Sequence, residues 1–263
     1  MPLGIVMKNS RENLILVNAF YTNSAILQGL IDFLSDTFNV YFIDLPGFAA
    51  DVPPLDDISV ESFAHHVRRR IDGFGLEHFV LGGISFGFLV ANRVPLNGEC
   101  RGIVGITPYL DRRSLKLRPV KRHGYRLVTG LLSRTRLSRR VWKTRAVRRF
   151  AHYYSRYPSS RVDMILEHMD GQTFFKTGRM ILNGRHTSLF HDLPYVLIVN
   201  RDDTTIDFDY TTRRFRDGAA KLLIVETKID HYPREISKEY FQERIGRDQI
   251  DRIAAFLRHH RPA

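Results

Sequence analysis

The chain has 263 residues, 43% of them hydrophobic, and its 40 Lys and Arg against 28 Asp and Glu give a net charge of +12. A chain of this length can bury a core large enough to fold without a disulfide or structural metal, and the single Cys100 excludes an intrachain disulfide and a multi-cysteine zinc site. The sequence shows neither a secretory signal pattern nor an apolar run of membrane-spanning length, so we expect a soluble, cytoplasmic protein.

Short apolar runs alternate along the chain with segments of helical periodicity. Strands are predicted at 13–20, 40–48, 78–83, 101–109, 195–200 and 221–227, and there is room for one short strand before them at 3–8. Helices are predicted at 24–36, 59–74 and 86–94, with Ser24 and Ser59 as N-caps of the first two, and a last helix carries Ile250, Ile253, Ala254 and Leu257. This alternation predicts an α/β fold with a mostly parallel, doubly wound sheet that is covered by helices on both faces.

One region breaks the alternation. Residues from about 110 to 185 have helical patterns only, and they lie between two predicted strands of the sheet. We therefore expect residues 1–109 and 186–263 to form the core, and residues 110–185 to form an inserted helical cap.

Three residues with catalytic side chains follow predicted strands, where open α/β sheets place their sites. Ser85 lies in the G-x-S-x-G pattern of residues 83–87, between a strand and a helix. Asp203 follows the strand at 195–200, and His231 follows the strand at 221–227. Each match alone is weak, but together they supply a nucleophile, an acid and a base in the chain order Ser, Asp, His.

The segments LVNAF, VYFIDLPGF, FVLGGISFGFLVA, VLIVNRDDTTID and KIDHYP resemble the α/β-hydrolase family, and the resemblance covers nearly the whole chain. It implies that Ser85 is the nucleophile, His231 the base and Asp203 the residue that orients the histidine. It also implies that the backbone N–H groups of Phe20 and Phe86 form the oxyanion hole. No cofactor is expected.

These residue types suit the chemistry. Serine is a weak nucleophile at neutral pH and needs an adjacent base. Histidine can take the hydroxyl proton and return it to the leaving group. A buried carboxylate fixes the imidazole tautomer and stabilises the imidazolium.

Two features depart from the family pattern or compete with it. The usual His-Gly at the oxyanion turn is replaced by Asn18-Ala19. A second candidate acid, Asp111, follows the strand at 101–109, although its neighbours Arg112 and Arg113 favour a structural ion pair there. We expect Asp203 to be the acid, because its distance from the preceding strand matches the family's turn.

The epoxide and haloalkane hydrolases of this fold use an aspartate nucleophile, so a serine at position 85 makes either activity unexpected for this protein. The reactions that remain are the hydrolysis of esters, thioesters, lactones and certain C–C bonds, and the triad does not distinguish among these substrates. We expect hydrolysis of a small-molecule carboxylic ester or thioester. The alternative is a non-catalytic member of the fold that binds an anionic ligand or an acidic partner through its cap.

The positive charge is concentrated in residues 111–161, which contain 17 Lys or Arg and one acid, Asp111. Apolar residues recur there with helical spacing and predict an amphipathic helix over 134–154, at Leu137, Val141, Trp142, Ala146, Phe150 and Tyr154. Its other faces are basic, with Arg139, Arg140, Lys143, Arg145, Arg148 and Arg149. Four interpretations stay open: a solvated face, an anionic lipid surface, an acidic carrier protein, or an anionic substrate such as an acyl-CoA. Nucleic acid is not expected, since no recognition motif accompanies the charge.

Overall fold

A computed structural model describes residues 11–134, 137–154, 157–184 and 190–260 of the chain. Within them, six parallel strands form one sheet in the order β2-β1-β3-β4-β5-β6. The strands are β1 (Asn13–Val17), β2 (Asn39–Ile43), β3 (Phe79–Ile84), β4 (Cys100–Ile106), β5 (Pro194–Val199) and β6 (Lys221–Glu226). The predicted doubly wound α/β fold is confirmed, while the strand predicted at 3–8 lies outside the described residues.

The winding direction of the chain reverses near the centre of the sheet. The chain moves outward from β1 to β2 and then returns to the other side of β1 with β3, so the winding direction reverses between β1 and β3. Every residue of β3 and β5 is buried, because both faces of these central strands are covered. Ligands of such sheets bind outside the carboxyl ends of the strands at the reversal, which here lie before the turns that begin at Asn18 and Ser85.

Eleven helices occur in the described residues, of which six belong to the sheet layers. These six are α1 (Gln28–Leu34), α2 (Val60–Phe74), α3 (Phe86–Ala91), α9 (Phe208–Gly218), α10 (Lys238–Ile245) and α11 (Arg247–His259). Ser59 caps α2 as predicted, accepting a hydrogen bond from the N–H of Ser62 at 3.1 Å. The prediction for Ser24 is wrong, because its hydroxyl donates to Asp44 at 2.6 Å and α1 begins only at Gln28.

The remaining five helices lie between β4 and β5. They are α4 (Pro119–Arg134), α5 (Leu137–Trp142), α6 (Arg145–Tyr154), α7 (Ser159–His168) and α8 (Gly171–Asn183). Helix α4 packs along α8, and α6 packs against α7. The bounds of the cap, 110–185, remain a prediction.

The single amphipathic helix predicted over 134–154 is wrong, since α5 ends at Trp142 and α6 begins at Arg145. Thr144 causes the break: its hydroxyl donates to the carbonyl of Val141 at 2.7 Å and accepts from the N–H of Val147 at 3.4 Å. Trp142 is buried against Phe174, with ring centroids 4.7 Å apart. The side chains of Leu137, Arg139, Phe150 and Tyr154 lie outside the described residues. None of the described helices has both the length and the apolarity needed to cross a membrane.

Helix α3 approaches β1 closely at Gly87. A Cβ atom at Gly87 would lie 2.2 Å from the carbonyl oxygen of Asn18 and 2.6 Å from that of Val17. We expect Gly87→Ala to lower the free energy of unfolding by roughly 1–3 kcal/mol or more, since both neighbours are backbone atoms. Urea unfolding measures this change.

The matched control is Gly73→Ala in α2, where a Cβ atom would have nothing within 4 Å. This exchange should stabilise the protein by about 0.5–1 kcal/mol, because alanine favours a helix over glycine. Equal stability of Gly87→Ala and the wild type would contradict the packing of α3 on β1.

Candidate active site

Ser85 occupies a sharp turn between β3 and α3. Its φ of 49° and ψ of −114° are unusual for a residue with a side chain. Three backbone hydrogen bonds hold it there: its N–H donates to the carbonyl of Ile106 at 2.9 Å, and its carbonyl accepts from the N–H groups of Phe88 and Tyr109, each at 3.1 Å. The turn also requires glycine before it, since a Cβ atom at Gly83 would lie 2.4 Å from the backbone of Gly87. The strained turn therefore belongs to a strongly constrained part of the structure.

His231 lies between the other two predicted residues. Its Nε2 is 3.3 Å from the Ser85 Oγ, and its Nδ1 is 3.2 Å from an Asp203 carboxylate oxygen. The side chains of His231 and Asp203 are 8% and 3% exposed. A carboxylate only accepts hydrogen bonds, so the proton of a neutral His231 belongs on Nδ1, and the Nε2 lone pair faces the Ser85 hydroxyl. The structure thus brings together all three residues that the sequence selects.

Asp203 is held by the turn that follows β5. One of its carboxylate oxygens accepts hydrogen bonds from the N–H groups of Thr205 at 2.7 Å and Ile206 at 2.9 Å. Burial alone would raise the pKa of this carboxyl, but the hydrogen bond from His231 and those from the two backbone groups outweigh burial and lower the pKa below its ordinary value. Asp203 is therefore an anion at neutral pH and can stabilise a positive charge on His231.

The rival acid, Asp111, lies elsewhere. One of its oxygens accepts from the N–H of Arg113 at 2.6 Å, and the other accepts from the Tyr210 hydroxyl at 2.7 Å. In the described structure no ion pair joins Asp111 to Arg112 or Arg113, so the ion pair expected from the sequence is wrong. The carboxylate instead fixes its own turn and links it to α9.

Asn18, which departs from the residue usual in the family at this position, organises the turn after β1. Its fully buried amide donates to the carbonyls of Ala19 and Thr22, and its side-chain oxygen accepts from the N–H of Leu45 at 2.8 Å. The only sequence signal for this role is a polar residue at the end of an apolar strand. The turn that contains Phe20 is thereby tied to the neighbouring turn after β2.

A cavity of about 60 Å³ opens at Ser85 and His231. The other lining residues are mainly aromatic or aliphatic: Ala19, Phe20, Tyr21, Tyr109, Leu115, Tyr157, Ile181, Thr205 and Tyr232. Phe86 is placed differently, since its ring is fully buried against Phe63 with centroids 6.0 Å apart. Phe86 is the first residue of α3, so its backbone N–H has no acceptor within the helix.

Three tyrosines that were not predicted from the sequence form one cluster at this cavity. The ring centroids of Tyr21 and Tyr232 are 5.9 Å apart, and Tyr157 lies edge-on to both, at 5.8 Å and 5.6 Å. Tyr232 also contacts the His231 ring at 4.9 Å. Burial raises the pKa of Tyr157 above its usual range, so this tyrosine stays neutral. The cluster narrows the cavity without placing a charge in it.

Metal ligation has no support in the described part of the chain, where no three His, Cys, Asp or Glu side chains are grouped as a metal would require.

Comparisons with known proteins agree with this architecture. MenH from S. aureus superposes with a TM-score of 0.67 at 15% sequence identity, covering 97% of this chain and 96% of that one. A putative lipase from Acinetobacter baumannii gives 0.67 at 16% identity, covering 96% and 86%. A thermophilic esterase from Thermogutta terrifontis gives 0.64 at 16% identity, covering 96% and 92%. Identities this low show a shared fold alone.

A sequence comparison with curated proteins found no match. The family profile of the alpha/beta hydrolase fold matches residues 12–232, which is most of the chain. With the parallel sheet and the strand-end turns already described, this match shows that the chain belongs to the α/β-hydrolase family.

Proposed function

We propose that this protein is a serine hydrolase that cleaves a carboxylic ester or thioester through an acyl-enzyme. The observation that carries the proposal is the position of the His231 ring, 3.3 Å from the Ser85 Oγ and 3.2 Å from the Asp203 carboxylate. A nucleophile within reach of a base, and a base oriented by a third group, is the arrangement that activates serine. Membership of the family supports hydrolysis in general, and these three side chains support the more specific reaction.

In the first half-reaction the Ser85 Oγ attacks the carbonyl carbon of the substrate, and the hydroxyl proton moves to the His231 Nε2. The π electrons of the carbonyl move to its oxygen, which becomes an oxyanion. When the tetrahedral intermediate collapses, the bond to the leaving group breaks, and His231 protonates the departing oxygen or sulfur. The acyl group is then an ester of Ser85.

In the second half-reaction water attacks this ester while His231 takes a proton from the water. The second intermediate collapses, the bond to the Ser85 Oγ breaks, and the proton returns to that oxygen. The carboxylic acid leaves and the enzyme is restored. Asp203 stabilises the imidazolium that forms in each half-reaction.

We assign the oxyanion hole to the backbone N–H groups of Phe20 and Phe86. Phe86 directly follows the nucleophile at the start of α3, and Phe20 lines the cavity at Ser85 and lies in the turn that Asn18 holds. Donors preorganised for the developing charge contribute strongly, since loss of one such donor in a protease lowers kcat about 10²–10³-fold. A backbone donor does not depend on the side chain, so Asn18-Ala19 in place of His-Gly is compatible with this role.

The size and the lining of the cavity favour a substrate with a short, uncharged acyl group. Its volume of about 60 Å³ is far below the roughly 300–1,000 Å³ of pockets for drug-sized ligands. None of the described residues that line it is Lys, Arg, Asp or Glu. An acetyl ester is therefore the first substrate to test.

The nucleophile is tested by a fluorophosphonate probe, which transfers its phosphonyl group to an activated serine and releases fluoride. We expect the wild-type protein to carry the label on Ser85, read by mass spectrometry of its peptides. Ser85→Ala should lose the label, while Ser62→Ala in α2 should keep it. A folded wild-type protein without label at Ser85 would overturn the proposal and favour the non-catalytic alternative.

The acid is tested by a pair of isosteric exchanges. Asp203→Asn should lower kcat for p-nitrophenyl acetate by about 10⁴-fold, the effect of the comparable change in a serine protease, because the amide no longer favours the reactive tautomer. Asp111→Asn should stay within a few-fold of the wild type, since Asp111 binds Tyr210 and Arg113 instead of His231. The reverse result, with only Asp111→Asn inactive, would reassign the acid.

A further inference from the structure

Helix α4 presents an apolar face to solvent. Among the described residues, the large hydrophobic side chains that stand exposed all belong to this helix: Val120, Tyr125, Leu127, Val128 and Leu131. Val120, Leu127 and Leu131 are spaced i, i+7 and i+11, so they form one stripe along the helix. We call Val120, Leu127, Val128 and Leu131 the outer stripe. Val120 is 84% and Leu127 63% exposed, so these side chains project from the surface as a ridge.

The opposite face of α4 is polar and faces the protein. Thr129 and Ser133 are buried there and donate to carbonyls of their own helix. Arg122 donates to the carbonyls of Leu115 and Leu117, at 3.3 Å and 3.4 Å. Arg126 donates to the carbonyl of Leu182 in α8 at 3.2 Å. Turning the stripe inward would break the bonds of two guanidinium groups, so these contacts fix the outward orientation of the stripe.

The outer stripe has basic residues on both sides. Lys121 follows Val120 on one edge, His123 and Arg134 lie on the other, and all three are exposed. No Asp or Glu occurs from residue 112 to residue 162. The neighbouring α5, α6 and the turn between them add further exposed cations, namely Arg140, Lys143, Arg145, Arg148 and Arg149. An exposed aliphatic stripe with basic edges matches the pattern of helices that lie in the surface of an anionic membrane.

We propose that α4 docks this protein onto an anionic membrane surface, with the outer stripe among the upper acyl chains and Lys121 and Arg134 at the anionic headgroups. A second copy fits less well, because pairing two α4 faces about a twofold axis would bring their basic edges together. A protein partner would have to enclose a projecting ridge, whereas lipid chains can close around it. Docking needs none of the catalytic groups, so it stands apart from the proposed function.

The docked helix lies one layer from the cavity. A Cβ atom at Gly178 in α8 would lie 3.5 Å from Thr129 of α4 and 3.6 Å from the Phe20 ring. Ile181, one turn further along α8, lines the cavity itself. Membrane contact at α4 therefore holds the site close to the lipid surface.

Co-sedimentation with vesicles tests the proposal, using the Ser85→Ala protein so that hydrolysis plays no part. We compare vesicles of phosphatidylcholine with vesicles of equal parts phosphatidylcholine and phosphatidylglycerol. Binding should require phosphatidylglycerol and fall as salt is added. Val120→Gln with Leu127→Gln should weaken binding at least about tenfold, because two exposed aliphatic side chains lose their apolar contact with lipid.

The charge contribution is tested by Lys121→Gln with Arg134→Gln, which should weaken binding on the order of tenfold. The control is Arg252→Gln with Arg258→Gln, which removes the same charge from the exposed face of α11. We expect this control protein to bind the vesicles as the parent protein does.

Gel filtration with light scattering measures oligomeric state in parallel. The proposal is overturned if the parent protein does not bind the anionic vesicles, if the stripe variant binds as well as the parent, or if the stripe variant only converts a dimer into a monomer.

Discussion

The two hydrogen bonds of His231 depend on the register of the parallel sheet. Ile84, Ile106, Ile198 and Val225 pair in one row across β3, β4, β5 and β6. The turns after β3, β5 and β6 therefore begin at nearly the same level, although their residues are far apart in the chain. A shift of one strand by one residue would move its turn by about 3.3 Å, which is as long as either hydrogen bond.

The same edge of the sheet carries the backbone strain. The described residues other than glycine with positive φ are Tyr21, Ser85 and Thr107, and all three follow the carboxyl end of a strand. Such conformations persist only where the surrounding structure enforces them. Buried Asn18, the N–H of Ser85 and the N–H of Thr107 supply that enforcement through hydrogen bonds to neighbouring turns and strands. The apolar core thus fixes the positions of the polar turns, and these turns fix the positions of the side chains of the candidate site.

Much of this arrangement follows from the sequence, because it is coded locally. Apolar runs and glycines mark the strands and the turn at Ser85, and the carboxyl ends of parallel strands meet at one edge whatever the loops do. That logic selects Ser85, Asp203 and His231 before any distance is known. It also favours Asp203 over Asp111, and the structure places Asp203 beside His231 and Asp111 beside Tyr210.

Other features depend on tertiary contacts that periodicity does not show. The hydroxyl of Thr144 ends one helix and begins another, while Trp142 is buried in the helix packing, so the predicted helix over 134–154 is divided. An apolar stripe on a helix ordinarily faces the core, but in α4 the side chains of the stripe are exposed, and the hydrogen bonds of Arg122 and Arg126 hold the opposite face against the protein. The tyrosine cluster joins residues from three distant segments, which have no common sequence signal.

The proposed activation of Ser85 requires that Asp203 holds His231 with its proton on Nδ1, so that Nε2 can accept the proton of Ser85. Nitrogen NMR of the labelled protein, at a pH where the ring is neutral, measures the tautomer of His231 directly, with His231→Gln to assign the signals. We expect a protonated Nδ1 and an unprotonated Nε2 in the wild type, and loss of that preference in Asp203→Asn. A wild-type ring with its proton on Nε2 would rule out this role of His231, because no lone pair would then face Ser85.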